Sequence, residues 1–152
     1  MTKRTRHTQG ILIVPLLLVL SLTACTDRDL QAVSSALSDT AKAVGVFQET
    51  VINANAQGLL SETGTRQLLQ VSLRVNAAGQ QAVTITRNLS KLAPENRSQL
   101  LQILKPVIDS VAEADAQLVR VIPEPRVRAN IASALTLIQT TLNTIQLTLA
   151  GR

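Results

Sequence analysis

The sequence predicts an all-α fold, an up-down-up-down antiparallel four-helix bundle over residues 25–152. Three observations predict it. Four segments of similar length carry apolar residues at steps of three and four. Punctuations of a few residues separate them, which makes consecutive helices antiparallel neighbours. No segment shows the apolar–polar alternation of a half-buried strand.

The first helix is expected over residues 28–57. Leu30, Val33, Leu37, Ala41, Val44, Phe47, Val51 and Ala54 form its stripe. Asp27 suits the N-cap, and Gly58 suits the C′ position because it adopts positive φ freely. The second helix is expected over 62–91, capped by Ser61. Its stripe is Leu68, Val71, Val75, Ala78, Ala82, Ile85 and Leu89, with Leu92 beyond it. The third begins at Pro94, which fits the first turn because its missing N–H has no partner there. Leu100, Leu104, Val107, Val111, Leu118 and Ile122 keep one phase across Pro106, so one helix kinked at Pro106 is expected rather than two. Pro123-Glu124-Pro125 imposes a turn. The fourth helix, over 125–150, carries Ile131, Leu135, Ile138, Leu142, Ile145 and Leu149. Gly151 is its expected cap.

Composition removes several classes. Of 152 residues, 45% are apolar but only 1% aromatic, with one Phe and no Tyr or Trp. The single Cys excludes an internal disulfide and a cysteine zinc site. A module that stacks RNA bases on aromatic rings lacks its rings. Within the bundle, Gly45 and Gly79 each cost about 1 kcal/mol of helix propensity against Ala. Close packing of helix two through Ala78, Gly79 and Ala82 is the expected reason, and a ligand groove is the alternative.

The first 24 residues read as an address. Lys3, Arg4 and Arg6 precede Ile11–Leu22, a stretch whose only polar member is Ser21. It is shorter than the roughly 20 apolar residues of a spanning helix and fits the h-region of a signal peptide. It ends in Leu22-Thr23-Ala24-Cys25. This resembles the lipobox of bacterial lipoproteins. The resemblance implies cleavage between Ala24 and Cys25 and attachment of acyl chains to Cys25. One acyl chain anchors only marginally, whereas two or three hold firmly. Thr26 follows the Cys, and Asp comes only at Asp27. For a Gram-negative lipoprotein, that resemblance favours the periplasmic face of the outer membrane.

Processing would remove three of the 15 basic residues and none of the 10 acidic ones, leaving a net charge of +2. The basic character of the precursor belongs largely to its address, so it is no argument for nucleic-acid binding. His7 would leave with it. The remaining chain holds no His and no free thiol, no His pair of a zincin, no Glu-x-x-His and no phosphate loop. No enzyme, metal or cofactor is therefore expected. Asp109 and Glu113, with Lys105, read as an exposed row of charges at helical spacing rather than as a carboxylate pair. Arg120, Arg126 and Arg128, around Glu124, read as helix-terminal charges. Arg28, Lys91, Arg97 and Arg152 at the other end are candidates to face lipid headgroups.

The least ordinary feature is an absence. No charge occurs from Ala129 to Gly151, and Thr136, Thr140, Thr144 and Thr148 recur every four residues along one ridge. Interface cores are depleted in charge, so this ridge is a candidate face for a partner helix or a second copy. The reading is a lipid-anchored envelope protein, non-catalytic, acting as a structural or interaction component close to the membrane. Two alternatives differ in kind. One is a carrier of a lipid or small apolar ligand within the bundle, which would need a cavity above ~300 Å³. The other is an exclusion or immunity lipoprotein.

Overall fold

A computed structural model describes residues 28–151, and four helices form a bundle. They are α1 (Arg28–Ala56), α2 (Glu62–Arg87), α3 (Pro94–Val121) and α4 (Pro125–Leu149). The expected signal segment, its cleavage point at Ala24, the lipid site Cys25 and the cap Asp27 lie outside the described residues.

The helix ends follow local chemistry. Gly58 at φ 70° closes α1. The Leu59 N–H reaches the Ala54 carbonyl at 3.0 Å and the Gly58 N–H reaches Asn55 at 2.9 Å, the paired bonds of a Schellman motif. Ser61 caps α2 by accepting from the Gly64 N–H at 3.0 Å. Glu124 does the same for α4, its Oε2 lying 2.6 Å from the Val127 nitrogen. Proline opens both α3 and α4, and Gly151 takes φ 73° after α4. Helix α2 stops at Arg87, short of the expected 91. Asn88 caps it at φ −101°, ψ 8°, where a short polar side chain competes well with helical bonding.

Helix α3 runs unbroken through Pro106. Proline deprives the Gln102 carbonyl of its usual donor. Both residues lie on the exposed side of the helix, where the lost bond leaves no buried acceptor.

Each helix packs on two others: α1 on α2 and α4, and α3 on α2 and α4. The α1–α4 pair is the most extensive, and the diagonal backbones stay apart. The core is one continuous cluster of Leu, Ile, Val and Ala around fully buried Phe47. Ala41, expected in the stripe, is exposed. Thr40 takes the seam position instead, because the steps 30, 33, 37, 40, 44, 47, 51, 54 alternate strictly between three and four. Its Oγ1 lies 2.7 Å from the Ala36 carbonyl and 2.9 Å from Thr141 Oγ1, a bonded link from α1 to α4.

One ion pair ties the end where α1 begins. Arg97 of α3 bonds the Asp29 carboxylate of α1, the Thr148 carbonyl of α4 at 2.8 Å and the Leu92 carbonyl at 3.2 Å. Arg97 is therefore turned into the bundle and is not available to headgroups as the sequence suggested.

Leu142, 1% exposed, is a test of the core. Leu142→Asp buries an unpaired charge and should cost more than about 3 kcal/mol in urea or thermal unfolding. An unchanged midpoint would contradict its placement. Arg97→Ala removes the side chain that links α1, α4 and the start of α3. It should lower stability by about 1–3 kcal/mol, read from the urea midpoint.

Candidate interaction surfaces

The threonine ridge lies where its spacing put it. Thr136, Thr140 and Thr144 are exposed, and Thr148 is half-buried. Every hydroxyl donates to the carbonyl four residues earlier: Thr136 to Ala132 at 2.9 Å, Thr140 to Thr136 at 2.8 Å, Thr144 to Thr140 at 3.0 Å and Thr148 to Thr144 at 2.8 Å. The hydroxyl protons are thus spent within the helix. What remains for a partner is the methyl group and the oxygen lone pairs. This is a weakly polar surface that loses little when water leaves it.

The exposed side of α4 also carries Leu137 and Leu147, 48% and 55% exposed. The sequence reading missed them. The available signal was their position: both fall off the steps of 131, 135, 138, 142, 145 and 149 that fill the core. With Asn130, Ser133, Thr140 and Thr144 they form an outer stripe at steps of three and four, all exposed and all uncharged. Helix α4 therefore has a core seam and, on the opposite side, a second seam of the same spacing.

The other sequence candidates resolve into ordinary roles. Lys105 pairs with Asp109 at 3.3 Å, and Glu113 accepts from Gln117 at 3.0 Å, all on an exposed face. The two carboxylates do not bond each other. Arg128 donates to the Ile122 carbonyl at 3.3 Å, satisfying the end of α3, while Glu124 is the α4 cap. Among the described residues, no group of three His, Cys, Asp or Glu is placed to hold a metal ion, and no helix is long and apolar enough to cross a membrane.

Grooves run between neighbouring helices, among them one of about 290 Å³ between α3 and α4 and one between α1 and α2. The α1–α2 groove, of about 460 Å³, is lined by Leu37 and Val44 of α1 and by Val75, Gly79 and Val83 of α2, with Arg87 at one end. Two small residues lie in its lining, Ala41 of α1 and Gly79 of α2. The expected close packing at the helical glycines is not found. A Cβ added to Gly45 or Gly79 would meet nothing within 4 Å. Gly79 instead leaves the groove open.

No family model, curated protein or solved structure matches this chain.

Proposed function

We propose that the protein is a lipid-anchored component of a bacterial envelope that works by contact, through the outer stripe of α4. The lipobox resemblance at residues 22–25 supports the anchor. The observation that carries the contact role is the uncharged exposed stripe with Leu137 and Leu147 in it.

A second copy of the chain is the partner that fits best. Copies held in one leaflet through Cys25 share one orientation, so their α4 helices meet in parallel. A parallel two-fold sets each residue opposite itself. Any charge on the stripe would then face its own like, which is strongly unfavourable when desolvated. A stripe of Asn, Ser, Leu and Thr carries no such conflict. Its six residues from Asn130 to Leu147 extend about 26 Å along the helix at ~1.5 Å per residue.

Two experiments test the two halves. The intact mass of protein extracted from membranes should equal residues 25–152 plus acyl chains, and Cys25→Ala should release it from the membrane fraction. The mass of the full unmodified chain, or retention of the variant, would overturn the anchor. Replacing Thr140 and Thr144 together by Lys should abolish crosslinked dimers in membranes. Both sites are exposed and Lys has the higher helix propensity, so the melting temperature should not fall. Unchanged crosslinking would remove the α4 stripe as a self-association surface.

A further inference from the structure

We infer that the groove between α1 and α2 binds the chain of a single-chain anionic amphiphile, such as a fatty acid, with Arg87 holding its head. The inference rests on the groove and not on the α4 stripe.

Four features of the groove converge. Its volume of about 460 Å³ falls within the ~300–1,000 Å³ of small-ligand sites. Its walls combine the apolar side chains of Leu37, Val44, Val75 and Val83 with the uncharged polar ones of Thr40, Asn76, Gln80 and Thr84, and the exposed lining is mostly apolar. Gly79 keeps the middle clear, where any side chain would project into open space. The lining of α2 from Val75 to Arg87 extends about 18 Å at ~1.5 Å per residue, so the groove is long as well as mostly apolar.

The charge pattern selects the head group. Arg87 is the single charged residue in the lining, and no carboxylate lines the groove. Arg87 makes no ion pair with another described residue. Asp39, on the same stretch of α1, is already paired with Lys42 at 2.9 Å. A mostly apolar length with one guanidinium and no carboxylate in its lining complements one tail and one anion. A neutral acyl ester, including a chain linked to Cys25, would use the walls and leave Arg87 idle.

Photocrosslinking of the full-length protein in membranes tests this directly. The probe is a palmitate analogue bearing a diazirine in its chain, with labelled sites mapped by peptide mass. Label should fall within 37–44 and 75–87. Palmitate should compete and methyl palmitate should not. Gly79→Leu should block labelling by filling the groove. Arg87→Gln should raise the palmitate needed for competition about fivefold, as expected for an exposed charge pair. Val83→Glu offers a second variant. It places a carboxylate four residues before Arg87, which neutralises the arginine and repels the anion, and it too should prevent labelling. Helical content measured on both variants verifies folding. The proposal is overturned if label spreads over exposed apolar residues such as Val46, Ile52 and Leu73 and ignores these variants. Equal competition by methyl palmitate, or no effect of Arg87→Gln, would overturn the anionic head. Groove labelling that emerges only in Cys25→Ala would make the protein's own lipid the occupant and overturn the free amphiphile.

Discussion

Everything in this bundle depends on each helix having one narrow seam to bury. The seams alternate steps of three and four, and a helix with that spacing can cover only a strip of its neighbours. With one aromatic residue in the core, Phe47, the packing must come from branched aliphatic side chains meeting along those strips. Such a seam tolerates some sliding, because Leu, Ile and Val resemble one another. Four polar side chains interrupt it: Thr40, Thr65, Ser72 and Thr86. Thr65 donates to Asn55 across the α1–α2 turn, and Ser72 accepts from Gln48. Among the described residues no buried side-chain polar atom lacks a partner. A slip by one heptad would break these bonds inside the core, so they disfavour alternative registers.

Most of the fold was legible because the determinants are local. Ser61, Pro94, Pro125, Gly58 and Gly151 act on their own backbone, and each does what its chemistry dictates at a helix end. The apolar seams of α3 and α4 were legible because their steps are regular and their residues large. The failures share a cause. Ala41 looked like a core residue because it is apolar, but phase outweighs polarity in a seam this strict, and the hydroxyl of Thr40 finds partners inside. The end of α2 was read too late because Leu89 and Leu92 continue the apolar pattern while Asn88 ends the helix. Gly79 was read as a packing residue, yet whether a missing side chain admits a neighbouring helix or leaves a gap depends on what that neighbour places opposite. Nothing in a single chain's local sequence states that.

The Arg97 cluster shows the same boundary between local and distant information. From sequence, Arg97 was one of several basic residues near an end. Its actual role requires Asp29, Leu92 and Thr148, which lie in three other parts of the chain. The consequence reaches the candidate surface, since the carbonyl of the last ridge residue is held by this arginine. The α4 ridge is therefore fixed at that end and exposed along the rest.

The fold itself does not require α4 to be uncharged outside. Helices α1 and α3 bury the same kind of seam, yet their exposed faces carry Asp39 with Lys42, and Lys105 with Asp109 and Glu113. Helix stability would not favour the bare face either, because Lys and Glu are better helix formers than Thr and Asn. Solubility disfavours it too, since interspersed charges keep surfaces apart. Helix propensity and solubility therefore both point toward charged residues at Asn130, Ser133, Thr140 and Thr144, the fold permits them, and none is present. A face that departs from what helix propensity and solubility both favour supports the contact proposed for it.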